Sequence, residues 1–444
     1  MDNIPPGPKG HPILGVMPEF NRDTLAFIER CKSYGDVVKA RFFYVNAYFL
    51  YDPNDIEYLL STHAKNFIKS MSLRSNFFSR LLGKGLLTSE GDFWRRQRRL
   101  AQPAFHRQRI SSYGDVMVEF TERLCSKWQV GGTRDIHRDM MRLTLEIVAR
   151  TLFNADVSGE ADYVGKVLSE IVKPFASQAT LKWIVDNRFP TPYHFRFHKL
   201  ARQIDEIVYR IIAERRKSGR DEGDLLSMLL QAQDEDGSQM TDRQLRDEVM
   251  TLFLAGHETT ALTLSWAWYL LGRNPEAERK FHDELDSVLD GRAPTFSDLP
   301  HLQFTEKIAR ESMRLYPPAF GVGRQAIEAC EIGGFHIPAK AQVFAFQWVT
   351  QRDERYFQDP LKFKPDRWTD VFTNGLPKYA YFPFGGGPRA CIGNTFAMME
   401  IILVLASIGQ KFRLRLASDH EVGIMPAMSL RPKSEIKVVI EPRS

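Results

Sequence analysis

The sequence predicts a mainly α-helical protein with a minor β region. From about Asp92 to Leu289, apolar residues recur at three- and four-residue spacing, which is typical of helices that bury one face. Shorter segments rich in β-branched and aromatic residues, Val37 to Tyr51 and Cys330 to Trp348, lie on either side of this region and predict short strands. Because strands flank the helices at both ends, we expect residues 1–444 to form one interwoven domain without a fused module.

The remaining elements follow in chain order from breakers and periodicity. The opening prolines fix the backbone φ angle and disfavour helix, so the chain should enter in an extended conformation. Thr24 to Tyr34 has a helical pattern, and Val37 to Tyr51 before Asp52-Pro53-Asn54 predicts two short paired strands and a turn. Near the end of the chain we expect a last helix from Asn394 to about Gln410 and a strand from Ile436 to Ile440.

The longest apolar stretch, Val249 to Gly272, is long enough to span a bilayer but has a polar centre. Gly256, His257 and Glu258 lie there, and a lone carboxylate in hydrocarbon would be costly. We therefore expect a buried helix that crosses a globular core. An unpaired buried carboxylate is costly in a protein as well, so the polar centre calls for a functional explanation.

Composition and charge exclude several classes of protein. With 43% hydrophobic residues and a net charge of +5, the chain can fill a core but lacks the strong basic character of a dedicated nucleic-acid binder. The four cysteines are far apart, so neither a zinc site nor a disulfide framework is indicated. The first residues show no basic run before an apolar stretch. We expect a cytoplasmic protein with no membrane anchor and no nucleic-acid partner.

Four local patterns have ordinary explanations when taken alone. His257 to Ala261 is half of a zinc-protease motif without its second histidine, and Gly385 to Ala390 matches the relaxed dinucleotide fingerprint but has a proline in the turn. Glu311 and Arg314 have a spacing that surface ion pairs often show, and the basic run Trp94 to Arg99 is typical of an exposed face. Only context can assign these residues a function.

The segment Phe384 to Gly393 has the residue types that a thiolate ligand of haem iron needs. Cys391 lies just before a predicted helix, whose N-terminal N–H groups favour a negative sulfur. The glycines allow close approach to a flat macrocycle, and Arg389 is placed to pair with a propionate. An inert buried cysteine after a flexible turn is the alternative, and the complete ten-residue pattern argues against it.

This segment resembles the haem-binding loop of the cytochrome P-450 family, whose other motifs occur in the expected order. Ala255 to Thr260 resembles the oxygen-activation motif of the long central helix that lies over the haem. The remaining matches concern the propionates and a core-bracing triad, and involve Trp94, Arg98, Arg324, Glu311, Arg314 and Arg367. Asp366 and Trp368 replace the Glu and Phe that are commoner in the family. The resemblance implies the P-450 fold and haem b, with Ala255, Phe384, Arg389 and Cys391 at the cofactor.

The resemblance implies a monooxygenase that inserts one oxygen atom of O2 into a lipophilic substrate, by hydroxylation or epoxidation. Thr259 is expected to hydrogen-bond to the oxygen being activated, and Glu258 to control proton supply. A peroxygenase is a rival, although such enzymes lack this acid–alcohol pair. A non-catalytic haem sensor or carrier is a rival from another class.

The haem unit would use almost all 444 residues, so electrons are expected from a separate ferredoxin or flavodoxin. A basic docking face is one interpretation of a group of cations, and a solvated surface is the other. This group consists of Arg95, Arg96, Arg99, Lys411 and Arg413.

The expected substrate pocket is apolar and suits a fatty acid, a terpenoid or a steroid-like ring system. By the resemblance it is built from Phe77, Phe78, Leu81, Leu82, Leu86, Leu87, residues 175–184, Ala319 to Val322 including Phe320, and Met425 to Met428. Arg74 is either an anchor for a carboxylate or simply exposed.

Overall fold

In the computed structural model, described residues are 3–156, 159, 163–167, 170–171, 192–232, 239–419 and 421–443. Helices predominate, which confirms the predicted fold class. Over the parts of the chain just given, none of the helices is both long enough and apolar enough to cross a membrane. The α-helices are Met17–Arg22, Thr24–Cys31, Pro53–Glu57, Asn76–Leu82, Gly91–Ala101, Arg107–Cys125, Ile136–Phe153, Pro192–Ser218, Leu225–Gln231, Asp242–Gly272, Pro275–Leu289, Gln303–Leu315, Gln347–Thr350, Asp370–Gly375 and Asn394–Lys411.

The helix Asp242–Gly272, called the central helix from here on, runs through the main hydrophobic core. It begins with a capping box, in which the Thr241 hydroxyl accepts a hydrogen bond from the Gln244 N–H and the Gln244 side chain accepts one from the Thr241 N–H. Nearly every residue after Gln244 is buried. The predicted buried helix is therefore confirmed, and it begins before the apolar stretch does.

The strands form four small sheets. The largest has the order β1-β2-β8-β5-β3, and a second has the order β4-β12-β9. Their bounds are β1 Val37–Phe42, β2 Val45–Leu50, β3 Phe67–Lys69, β4 Thr133–Asp135, β5 Val322–Ala326, β6 Cys330–Ile332, β7 Phe335–Ile337, β8 Gln342–Ala345, β9 Phe412–Leu416, β10 Ile424–Pro426, β11 Leu430–Pro432 and β12 Lys437–Pro442.

Strands from the two ends of the chain pair with each other. β2 lies parallel to β8, with Ala47 opposite Gln342 and Leu50 opposite Ala345. β12, which corresponds to the predicted strand near Ile436, pairs with β4 in the middle of the chain. The sheets therefore join distant parts of the sequence around the helices.

Most sequence-based boundaries agree with the structure. The predicted helix at Thr24 appears as Thr24–Cys31 followed by a 3-10 turn, Lys32–Tyr34, and the last helix ends one residue later than predicted. Met17–Arg22 is a helix that the sequence analysis missed, because it is short and directly follows the proline-rich entry. A 3-10 turn, Gly387–Arg389, lies where the dinucleotide fingerprint would require the start of a helix.

Candidate active site

A cavity of about 1760 Å³ lies between the central helix, the largest sheet and the loop before the last helix. Cys391 and Phe384 line it from the loop, Ala255 and Thr259 from the central helix, and Arg324 from β5. Residues that the sequence analysis selected from distant segments therefore meet at one internal space.

The loop presents the Cys391 sulfur to the cavity. The Cys391 N–H donates to the Phe384 carbonyl at 2.9 Å, which closes the loop on itself. Gly387 has a φ of +62°, and a Cβ there would lie 1.8 Å from the Leu60 carbonyl oxygen, so only glycine fits. The thiol is accessible, and because Cys391 lines the cavity this accessible surface faces an internal space.

Burial raises the pKa of the Cys391 thiol in the protein without a metal. The hydrogen bond from the Gly393 N–H and the charge of Arg98 oppose this rise. The predicted influence of the helix start is present, since Gly393 caps the helix Asn394–Lys411. It is smaller than the effect of burial, so a bound metal cation would be the partner that stabilises the thiolate.

Three cations line the cavity close to one another. Arg324 and Lys69 are direct partners across the antiparallel strands β5 and β3, and Arg389 follows from the loop. Burial lowers the pKa of Lys69 to about 7, and the charges of Arg324 and Arg389 lower it further, whereas Glu90 opposes this. The sequence analysis missed Lys69, which lies in a three-residue strand without a recognisable motif.

This cluster fits a haem, because its positive charge exceeds the negative charge that faces it. Glu90 is the carboxylate that contacts Arg389, which leaves an excess of two positive charges for the three cations. A haem carries two propionates and would supply the missing negative charges.

Trp94 and Arg98 reach the loop from the helix Gly91–Ala101. The Arg389 guanidinium lies 3.8 Å from the centre of the Trp94 ring. Arg98 donates to the Ala390 carbonyl at 2.6 Å, and Cys391 is a charge partner of Arg98. Both side chains thus hold the loop, next to the residues that line the cavity.

On the central helix, Thr259 is exposed towards the cavity. Its hydroxyl donates to the Ala255 carbonyl at 2.8 Å. This bond holds the Thr259 side chain against its own helix, one turn back along the cavity wall.

The family assignment rests on comparison of the whole chain. The sequence model of the family described as Cytochrome P-450 matches residues 5–440. The chain belongs to the cytochrome P-450 family. It is accordingly a haem-thiolate monooxygenase that acts on a lipophilic organic substrate with O2 and electrons from a redox partner.

Similar P-450 proteins come from Streptomyces. Cyclooctatin synthase of Streptomyces melanosporofaciens is 36% identical, over 98% of this chain and 95% of the relative. Cyclooctat-9-en-7-ol 5-monooxygenase of the same organism is 34% identical, over 92% and 89%. Pentalenene oxygenase of Streptomyces avermitilis is 33% identical, over 94% and 92%.

In this P-450 the carboxylate of Glu258 is buried but paired. Arg431 donates from Nε to Glu258 Oε1 at 2.7 Å, and the Ser429 hydroxyl also donates to Oε1. Burial raises the pKa of Glu258, but the charge and hydrogen bonds of Arg431 and the bond from Ser429 outweigh it, so the pKa lies below its ordinary value. Glu258 is therefore ionised at neutral pH and can accept a proton.

The sequence gave no local signal for the two partners of Glu258. Ser429 and Arg431 lie at and beside the strand pair β10–β11, more than 170 residues from Glu258. Glu400, on the helix Asn394–Lys411, was also missed. It is fully buried, and burial raises its pKa well above the ordinary value, against the opposing effect of the Thr260 hydroxyl.

The bracing triad predicted from the family pattern is assembled. Glu311 and Arg314 have no exposed side-chain surface and form two hydrogen bonds, at 2.8 and 2.9 Å. Arg367 donates to Glu311 Oε1 at 2.9 Å. Trp368 donates from its indole to Glu311 Oε2 at 3.0 Å, so this departure from the commoner phenylalanine adds a hydrogen bond. The interpretation of Glu311 and Arg314 as a surface pair is wrong.

The apolar wall of the cavity agrees largely with the predicted pocket. Phe77, Phe78, Leu82, Leu87, Phe320, Val322 and Met428 all line it. Leu81 and Leu86 are absent from the described part of the wall, and both are buried. For Leu81 this follows from helical geometry, because Phe78 and Leu82 share the face of the helix that is turned to the cavity. Residues 175–184 lie outside the described residues.

The central helix and the helix Pro192–Ser218 supply walls that the sequence analysis missed. Leu252 lines the cavity one turn before Ala255, and Phe197 packs against Phe77 with ring centres 4.2 Å apart. The spacing of Leu252, Ala255 and Thr259 is a helical stripe, so the sequence contained a signal for it. Arg74 also lines the cavity, where it donates to the Gln325 side chain.

The cations considered for a docking face differ in their pairing. Lys411 forms an ion pair with Glu122 at 2.8 Å, and Arg413 forms one with Glu278 at 2.6 Å. Arg95 is exposed beside Asp92, and Arg99 is exposed on the same helix, whereas Arg96 is half-buried.

Proposed function

We propose that this P-450 hydroxylates or epoxidises a terpenoid in the cavity, with Cys391 as the axial ligand of a haem b. The observation that carries the proposal is that the Cys391 thiol and the Thr259 hydroxyl-bearing face of the central helix line the same apolar cavity. When bound, haem with a thiolate ligand supplies the chemistry that cleaves O2 and attacks C–H bonds. The chain's own residues bind, orient and protonate.

Several side chains are proposed to hold the haem. Arg324 and Arg389 would bind the propionates together with Lys69, and Phe384 and Ala255 would lie against the macrocycle, since all of them line the cavity. Trp94 and Arg98 would fix the loop from outside. The sequence has no C-x-x-C-H motif for covalent attachment, which favours haem b.

Proton supply is assigned to the polar centre of the central helix. The Thr259 hydroxyl would donate a hydrogen bond to the oxygen being activated and be re-supplied through water. Glu258, held ionised by Arg431, would accept a proton at Oε2 and pass it inward. The triad of Glu311, Arg314 and Arg367 would act structurally.

The substrate class is proposed from the cavity and from the relatives. Two of these are named for acting on cyclooctat-9-en-7-ol and on pentalenene, and both compounds are terpenoids. Phe77, Phe78, Leu87, Phe320, Val322 and Met428 provide the apolar surface that such a ligand needs.

A ferredoxin or flavodoxin is proposed as the redox partner, docking near Arg95 and Arg99. Lys411 and Arg413 contribute less charge to such a face than the sequence alone suggested, because each already faces a carboxylate. We also propose a cytoplasmic location, since the four cysteines are free thiols, as a reducing compartment would keep them.

The thiolate assignment is tested by spectroscopy. The reduced protein with carbon monoxide should show the strongly red-shifted Soret absorption of thiolate ligation. Cys391→Ser should abolish this shift, and Cys330→Ser, at a half-buried cysteine in β6, should leave it unchanged. A red-shifted band that survives in Cys391→Ser would refute the assignment.

A further inference from the structure

Lys69 and Arg324 create an electrostatic problem in the largest sheet. They are direct partners across β3 and β5, and like charges in that position repel each other. Both are more than 90% buried, where water screens poorly. Arg389 adds a third positive charge, and burial lowers its pKa to about 10, with Glu90 opposing the shift and Arg324 and Arg98 adding to it.

Glu90 meets this cluster from the residue before the helix Gly91–Ala101. Its Oε1 accepts a hydrogen bond from the Lys69 backbone N–H at 2.5 Å, and its Oε2 forms a close ion pair with Arg389. The Glu90 side chain makes no capping bond to its own helix. The carboxylate is therefore directed at the cluster and away from the usual capping role.

Glu90 also fixes the direction of the Arg389 side chain. One guanidinium nitrogen of Arg389 donates to the Ser89 carbonyl at 2.8 Å, and another is held by Glu90. The Trp94 ring lies against the same guanidinium, 3.8 Å away. Arg389 is thus held from several sides while it lines the cavity.

We propose that Glu90 is a positioning residue that sets the charge at the propionate edge of the haem and thereby keeps its reduction potential low. The inference rests on the proposed propionate role of Arg324 and Arg389. With Glu90 ionised, three cations face one carboxylate and two propionates, and the edge is neutral. Without the Glu90 charge, the edge carries one excess positive charge.

The excess charge acts on reduction in a defined direction. Reduction adds one electron to the iron centre, and a nearby positive charge stabilises the more negative, reduced form. The effect is reinforced by the buried surroundings of Lys69 and Arg324. Loss of the Glu90 charge should therefore raise the reduction potential.

The test is a dithionite titration of the substrate-free holoprotein, followed by haem absorbance. Glu90→Gln keeps the size and one acceptor of the side chain but removes its charge. We expect the equilibrium constant for one-electron reduction to rise at least threefold, which corresponds to about 28 mV at 59 mV per tenfold change. The matched control is Asp92→Asn, which removes a solvent-exposed carboxylate two residues further on. A Glu90→Gln potential equal to that of wild type or of Asp92→Asn overturns the inference.

A second pair of variants separates this inference from the propionate assignment. Lys69→Met should lower the equilibrium constant, and Glu90→Gln combined with Lys69→Met should bring it back towards the wild-type value. If Lys69→Met shifts the potential while Glu90→Gln does not, the role of Glu90 is refuted and the propionate assignment stands. If neither shifts it, both are refuted. Transfer of haem to apomyoglobin should be faster for Lys69→Met and close to wild type for Asp92→Asn.

Discussion

Thr259 differs from the other threonines of the central helix in its access to the cavity. The hydroxyls of Thr251, Thr260 and Thr263 also bond to carbonyls one turn back, but these side chains are buried, whereas Thr259 is exposed. Its bond to Ala255 is within the helix and can be exchanged for a bond to a ligand. At the scale of the single residue, access distinguishes the proposed catalytic hydroxyl from its structural neighbours.

Thr259→Ala should therefore preserve haem binding and reduce useful turnover. We expect product formed per NADH consumed to fall about tenfold or more, with a matching rise in hydrogen peroxide, because a proton-delivering hydroxyl is lost. Thr151→Ala is the matched control, since the Thr151 hydroxyl makes the same type of bond, to Ile147, on another helix. Unchanged coupling in Thr259→Ala would remove Thr259 from the mechanism.

At the scale of elements, one buried carboxylate ties three segments together. Glu311 lies on the helix Gln303–Leu315, Arg367 on a 3-10 turn, and Trp368 directly after that turn. Arg314 also donates to carbonyls of the segment between them, at Gln351 and at Pro360. This network holds the chain that leads towards the Cys391 loop.

Glu311→Ala should destabilise the protein strongly. Removing one partner of a buried ion pair leaves uncompensated charges, at a cost of about 3–5 kcal/mol. Glu306→Ala, on the same helix, breaks a half-exposed pair with Arg310 and should cost less than about 1 kcal/mol. Urea unfolding of the two variants measures the difference, and equal losses would contradict the bracing role.

A second element-scale contact fixes the segment that carries Leu87. The Glu248 side chain of the central helix accepts from the Leu86 N–H at 3.0 Å, and Asp247 accepts from the Lys84 N–H at 2.8 Å. Burial raises the pKa of Glu248 to about 8, the Leu86 N–H opposes the rise, and the Asp247 charge adds to it.

Glu248→Gln should stabilise the protein in a pH-dependent way. Because the folded-state pKa of Glu248 lies above its ordinary value of 4.5, its favourable contribution is fully present below about pH 4.5 and is lost as the pH rises through about 8. Gln stays neutral and still accepts from Leu86. The thermal midpoint of Glu248→Gln should exceed that of wild type more at pH 8.5 than at pH 5.5. Glu331→Gln, at an exposed position, should show no such difference.

At the scale of the whole molecule, the sequence predicted what local patterns determine. The helices, the Cys391 loop and the polar centre of the central helix each have a signal within a few residues. Contacts between distant segments have no such signal, which is why Lys69, Ser429 and Arg431 were missed. Glu311 and Arg314 show the same limit, because spacing on one helix does not reveal whether the helix face is covered by residues 351–368.

We propose that the whole chain unfolds as one cooperative unit. Strands from both ends share the largest sheet, and β12 pairs with β4, so no part can separate without breaking a sheet. Far-UV circular dichroism, tryptophan fluorescence and haem absorbance should report the same transition midpoint. Two separate transitions would contradict a single domain.

The parallel pairing of β2 with β8 has a consequence for biosynthesis. β2 leaves the ribosome early, yet the edge that faces β8 stays open until residue 345 has been translated. An open strand edge is a template for pairing with other chains. During most of its synthesis, the nascent polypeptide therefore depends on β1 and on chaperones to shield that edge from aggregation.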